Sequence, residues 1–209
     1  MNYLHQVPRI RDGLDDLIKN DPVFRAMTID VEQFRWGYIG PGFPGLVRIV
    51  IGQQISTSAA DALWTRFENA MPRITPNAVM VLKDDDMRKL GLSYQKANYI
   101  RGLATAVKDK TFNPEKLEDL SDEQVYEAIT ALKGFGDWSA EMFLMFGLAR
   151  PDIWPAGDLG IQEGLRVYSG ATDRPNAEQT KEAGQIFAGR RTAAALLLWH
   201  LKARARLKA

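Results

Sequence analysis

Apolar residues along this chain recur at the spacing of helices. Residues 7–19 put Ile10, Leu14, Leu17 and Ile18 on one face, the repeat of a helix with a buried stripe. Asp21-Pro22 is a cap and first-turn pair that starts a short second helix through Met27. Residues 36–44, WGYIGPGFP, interrupt the pattern and read as a loop whose aromatics mainly pack. Residues 44–70 predict two helices with a break near 52–56. Leu46, Val47, Ile49, Val50 and Ile51 make the first of them apolar enough to be buried. Short helices are predicted over 77–82 and 85–90, the second stopped by Gly91. A longer one covers 93–108, with Tyr99, Ile100, Leu103, Ala104 and Val107 on one face. Ser121 and Gln124 have the spacing of a capping box and open a helix to Leu132. An almost wholly apolar helix follows over 138–149. Further helices are predicted to about residue 168, over 176–188 and over 191–207, so the fold class is all-α.

Composition narrows the function classes. The 209 residues are 45% hydrophobic and 25% charged, ordinary for a globular protein with a sizeable core. Net charge is +1, so a polyanion partner would have to be met by local patches. There is no cysteine, which excludes disulfides, thiolate catalysis, cysteine zinc sites and cysteine-bound iron–sulfur clusters. The N-terminal residues lack the apolar run of a signal peptide, and no stretch is long and apolar enough to span a bilayer. The expectation is a soluble monomer of the cytoplasm or nucleus with no membrane partner.

The chemistry concentrates in residues 132–158, LKGFGDWSAEMFLMFGLARPDIWPAGD. Gly134-Phe135-Gly136 permits positive φ and close approach of backbone to a ligand. The helix that follows would offer unpaired N–H groups and the positive end of its dipole to an anion. Helix, glycine turn, helix is a helix-hairpin-helix pattern, and an αα-corner with a glycine cap is the plainer alternative.

LKGFGDWSA resembles the hairpin of the helix-hairpin-helix DNA glycosylases, the HhH-GPD superfamily, with its pattern Leu-Pro-Gly-hydrophobic-Gly-x-x-Ser/Thr-Ala. Lys133 replaces the proline and adds a cation near the expected phosphate. IVIGQQIS is similar to the family's second motif, hydrophobic-Gly-Gln-x-hydrophobic-Ser, and GLSYQKA to a stretch of its AlkA-like branch, the 3-methyladenine DNA glycosylase II type. FAGRRTAAALLLW matches that branch at Arg191 and Trp199 but has Phe187 for a tryptophan and Gly189 for a proline. The resemblance implies two helical subdomains, about 45–130 and 1–44 with 131–209, flanking a cleft for DNA and base. It leaves no room for the additional N-terminal β domain of some relatives.

The resemblance also assigns roles. Asp158 stands where the family carries its catalytic aspartate, with Asp137, Asp152 and Glu141 as rivals. Trp138 occupies the position at which strand-cutting members carry a Schiff-base lysine, which implies a monofunctional enzyme without lyase activity. Trp138 is also the leading base-pocket residue, followed by Trp154, Phe43 and Phe187. Lys133, Gly134, Phe135, Gly136 and Ser139 are expected to hold a DNA phosphate. Gln53 and Gln54 are expected at the minor groove, Gln54 as a wedge that fills the gap left by a flipped nucleotide. No cofactor is implied, beyond a structural Na+ or K+ on the carbonyls of Thr130, Leu132 and Phe135. Lys96 reads as a solvated cation or a packing stem.

The partner is then double-stranded DNA containing damaged bases. A cationic alkylated base, such as 3-methyladenine or 7-methylguanine, leaves without protonation. One carboxylate suffices to stabilise the sugar cation and orient a water. The alternatives are a glycosylase for a neutral lesion such as ethenoadenine or hypoxanthine, and a non-catalytic DNA-binding protein that keeps only the hairpin.

Overall fold

A computed structural model describes residues 3–208, with side chains described as far as residue 205. The helices are α1 (Pro8–Asn20), α2 (Pro22–Ala26), α3 (Phe43–Gly52), α4 (Thr57–Asn69), α5 (Pro76–Val81) and α6 (Asp84–Lys89). They continue as α7 (Tyr94–Lys108), α8 (Asp122–Thr130), α9 (Asp137–Met142), α10 (Leu159–Ser169), α11 (Ala177–Ala183) and α12 (Arg191–Lys208). Among the described residues there is no strand, only an isolated bridge between Tyr3 and Gly37. The fold is all-α, as the periodicity predicts.

The predicted starts are built as expected. Asp21 accepts from the amides of Val23 and Phe24, at 2.9 and 3.1 Å. Ser121 and Gln124 exchange both bonds of a capping box. Two ends differ from the prediction. The apolar helix over 138–149 is regular only to Met142, then widens into a π turn, Phe143–Gly147. Within that turn the Phe143 ring fills the space over Gly147, where a Cβ would lie 2.7 Å from it. The helix predicted over 176–188 tightens after Ala183 into a 3-10 turn, Gly184–Phe187. Short 3-10 turns at Leu4–Gln6, Val31–Gln33 and Pro114–Asp119 span too few residues for periodicity to reveal.

The chain divides into two compact units, one made of the segments up to Tyr38 and from Ala149 onward, the other Ile39–Leu148. In the internal unit α3 is the central helix. Its Leu46, Val47, Val50 and Ile51 are buried, as are Ile100 and Leu103 of α7. The sequence reading divides the chain near 44 and 130 and groups the hairpin with the terminal segments. The hairpin lies instead inside the internal unit, because side chains of α3 and α7 hold it there.

In the terminal unit α12 is central, with Ala193–Leu198 fully or almost fully buried. Helix α10 crosses it at very short range. A Cβ on Gly164 would stand 2.5 Å from the carbonyl oxygen of Leu198, a backbone atom that cannot step aside. Gly164→Ala is therefore expected to lower the stability of the chain by about 2 kcal/mol, read by urea unfolding. Unchanged stability would contradict the close approach of α10 and α12.

Candidate active site

Asp158 caps the N-terminus of α10. Its Oδ1 accepts from the amides of Gly160 at 2.8 Å and Ile161 at 3.0 Å. It also accepts from Trp199 Nε1 at 2.9 Å, across from α12. Those donors fix the orientation of the carboxylate, and the positive end of a helix dipole is a favourable place for an anion. Asp158 is partly exposed, so the group is held without being sealed away. A Cβ on Gly160 would lie 2.7 Å from Trp199 Nε1 and 2.8 Å from Asp158 Oδ1, so only glycine leaves room for this bond. Trp36 packs on the Trp199 ring, with centroids 5.5 Å apart.

The loop before Asp158 is tied down at both ends. Thr192 Oγ1 donates to the carbonyl of Arg150 at 2.6 Å and accepts from the amide of Ile153 at 3.1 Å. Gln162 Nε2 donates to the carbonyl of Ala156 at 3.0 Å. Asp152, a rival for the catalytic role, accepts from the amides of Gly189 and Arg191 and pairs with the Arg191 guanidinium at 3.1 Å. It is a structural clamp on the start of α12. Trp154 donates its indole N–H to the carbonyl of Thr180 at 2.8 Å and packs on Phe187. Phe187 is 1% exposed, with Phe24, Tyr168 and Trp154 around its ring. This corrects its assignment to a base pocket: the ring is core, where hydrophobic burial places it. Phe43, in the internal unit, is 3% exposed in the first turn of α3 and is corrected in the same way.

The hairpin of the internal unit is shaped by Gly134, whose φ is +91°. A Cβ there would lie 2.2 Å from the Tyr99 ring, so conformation and space both demand glycine. Phe135 points into the core, while Lys133 and Gly136 are exposed. Gly136 begins α9 without a side-chain cap. Trp138 is half-buried in the first turn, whereas the Ser139 side chain, expected at the phosphate, is 2% exposed and accepts from Gln53 instead, a correction set by its inward face on α9. Asp137, the second rival, accepts a hydrogen bond from Tyr126 of α8, which pushes the Tyr126 phenol up to about 12; burial and the charges of Asp137 and Glu141 add to the shift.

Gln53 ends α3 and turns its amide to the hairpin. Nε2 donates to the carbonyl of Gly134 at 2.8 Å and to Ser139 Oγ at 3.0 Å. Gln54 is exposed, with a left-handed φ of +58°. Lys96 donates to the carbonyl of Ile51 at 2.7 Å, and burial lowers its pKa. It caps α3 rather than lying solvated on the surface.

An all-helical fold with a glycine hairpin and a capped, braced aspartate defines a recognisable class. Residues 47–188 match the family described as HhH-GPD superfamily base excision DNA repair protein, and the chain belongs to it. It is 34% identical over 158 residues to DNA-3-methyladenine glycosylase 1 of Schizosaccharomyces pombe, covering 74% of this chain and 69% of that protein. It is also 34% identical over 147 residues to the DNA-3-methyladenine glycosylase of Saccharomyces cerevisiae, covering 66% of this chain and 49% of that one. Among solved structures, the S. pombe 3-methyladenine DNA glycosylase Mag1 in complex with abasic DNA matches with a TM-score of 0.80 and 29% identity. That match covers 90% of this chain and 95% of Mag1. A Bacillus halodurans DNA-3-methyladenine glycosidase matches with a TM-score of 0.74 and 27% identity, covering 98% and 93%.

Sequence reasoning passed over Gly160, Gly164, Gln162 and Thr192. The two glycines had a visible signal, since glycines four apart on one helix mark a close neighbour. Thr192 and Gln162 had none, because their partners are backbone carbonyls and amides of a loop.

The Tyr126 bond makes a pH-dependent contribution to stability. Its folded pKa is raised above the ordinary value of 10. The contribution is therefore complete below about pH 10 and is lost as pH rises toward 12. In urea unfolding, the stability difference between wild type and Tyr126→Phe should be constant below pH 10 and shift against the wild type above it. A difference independent of pH across that window would remove the bond.

Proposed function

We propose that this chain is a monofunctional DNA glycosylase. It hydrolyses the N-glycosidic bond of alkylated bases of the 3-methyladenine and 7-methylguanine type, leaves an abasic site, and acts in base excision repair. The observation that carries the reading is the Asp158 carboxylate, oriented by two amides and the Trp199 indole at the start of α10. The names of the relatives and the HhH-GPD membership support the substrate class.

The reaction asks for little more than that group. The glycosidic electrons leave with the cationic base, which departs neutral. Positive charge develops on the deoxyribose, where a carboxylate stabilises it. A water oxygen adds to C1′ and its proton passes to the carboxylate and on to solvent. The nucleotide must first leave the stack. Gln54 is the proposed wedge, exposed and held in a backbone conformation that side chains seldom adopt. Trp138 is the proposed aromatic wall for the cationic base. Its place in the family pattern is that of the Schiff-base lysine, which supports the absence of lyase chemistry.

Lys133, the exposed Gly136 and the first amides of α9 are proposed to hold a phosphate. A structural Na+ or K+ on the carbonyls of Thr130, Leu132 and Phe135 belongs to the same proposal. These are neutral oxygen donors within one turn, where the Leu132 carbonyl already accepts the Phe135 amide and keeps a second lone pair. No cofactor enters the chemistry.

The test is base release from methylated duplex DNA by the purified protein beside Asp158→Asn. Wild type is expected to release 3-methyladenine or 7-methylguanine, and the variant to lose about a hundredfold or more while still binding DNA. Binding without release by either protein would sink the alkylbase reading. Equal release by both would remove Asp158 as the catalytic group. Strand cleavage by the wild type would remove the monofunctional assignment.

A further inference from the structure

Gln53 and Gln54 are neighbours with opposite surroundings. Gln54 faces solvent in a left-handed conformation, between the end of α3 and the Ser56 cap of α4. Gln53 is turned back into the unit and spends both protons of its amide nitrogen on the hairpin, at Gly134 and Ser139. The first turns of α7 support the same two places. Lys96 reaches the α3 terminus at the Ile51 carbonyl. Tyr99 lies directly under Gly134, and its hydroxyl accepts from Gln95 Nε2 at 2.6 Å. The end of α3, the start of α7 and the hairpin are thus joined by side chains into one body.

We propose that Gln53 is a positioning residue that couples the hairpin's hold on DNA to the placement of Gln54, so that anchoring and nucleotide displacement act together. The inference rests on the glycosylase reading above. A left-handed residue other than glycine persists only where its surroundings over-determine it. Here the residue before it is fastened to the hairpin by two hydrogen bonds. With that fastening removed, residue 54 is free to relax to an ordinary φ, and the wedge loses its direction while the hairpin keeps its own turn. The amide is needed because it donates twice from one atom. A glutamate at 53 has no proton to give, and a methionine has the length without the donor.

The experiment compares two full-length duplexes, one with 7-methylguanine paired to cytosine and one with it opposite an abasic-site analogue, where the base is already unpaired. In single-turnover release, Gln53→Met is expected to lose about tenfold on the paired lesion. On the unpaired lesion, where flipping costs less, it is expected to lose less than about threefold. Losses of Gln53→Met and Gln54→Ala on the paired lesion should combine to less than their product, since both act through the wedge. Equal loss on both duplexes, fully multiplicative losses, or wild-type rates would overturn the coupling. Should Gln53→Met fail to fold, Ser139→Ala removes one of the two acceptors without burying a new polar group, and should move the ratio the same way.

A binding measurement separates this inference from the reading beneath it. Wild type is expected to prefer duplex carrying a tetrahydrofuran abasic analogue over intact duplex. Gln53→Met should lose that preference while its affinity for intact duplex, dominated by phosphate contacts, changes by less than about twofold. Preference kept in the variant would overturn the coupling even if no base were released by any protein.

Discussion

The Asp158 site depends on two helices lying closer than side chains ordinarily permit. Helix α10 turns Gly160 and Gly164 toward α12, and at each a single added carbon would overlap an atom of the neighbour. The consequence is chemical as well as steric. At that separation the Trp199 indole, carried by α12, reaches the carboxylate that caps α10. Packing and the placement of the carboxylate are the same contact seen from two sides. The loop that delivers Asp158 is held by Gln162 of α10 and, at the start of α12, by Thr192 and the Asp152–Arg191 pair, so the same two helices position the carboxylate and its loop.

The two units use the same physics differently. The N-terminus of α10 is taken by a carboxylate of its own chain, which turns the helix dipole into a fixture for Asp158. The N-terminus of α9 begins at Gly136 with no side-chain cap, leaving backbone donors suited to an anion from outside. Asp137, which stands in that first turn, is drawn to the Tyr126 hydroxyl. Lys133 supplies a cation beside it. The hairpin owes its shape to Gly134 on the face of Tyr99, and its attachment to Gln53. Those anchors come from α3 and α7, far away in sequence, and they explain why the hairpin belongs to the internal unit.

Much of this was legible in the residues. Helical spacing located nearly every helix, because a buried stripe must recur every three or four residues whatever it packs against. The capping residues Asp21 and Ser121 were readable because a cap stands directly before the helix it starts. Gln53 and Gln54 stood out through the resemblance of IVIGQQIS, but the partners of Gln53 on the hairpin did not. Long-range partners were not legible. Nothing in the string joins Lys96 to Ile51, or separates a pocket aromatic from a core one, which is how Phe43 and Phe187 entered the candidate pocket. Their burial is set by which face each helix turns inward, a tertiary fact.

The most direct measurement is the single-turnover rate of 7-methylguanine release by Trp199→Phe. The substitution keeps an aromatic ring on α12 and deletes the indole N–H that holds Asp158 Oδ1, together with part of the ring volume beside Trp36. A hydrogen bond to a charged group that is lost at the proposed reacting centre should slow the step by about tenfold to a hundredfold, a larger loss than the accompanying change in DNA affinity. A wild-type rate would contradict the claim that the α10–α12 contact sets the proposed catalytic carboxylate.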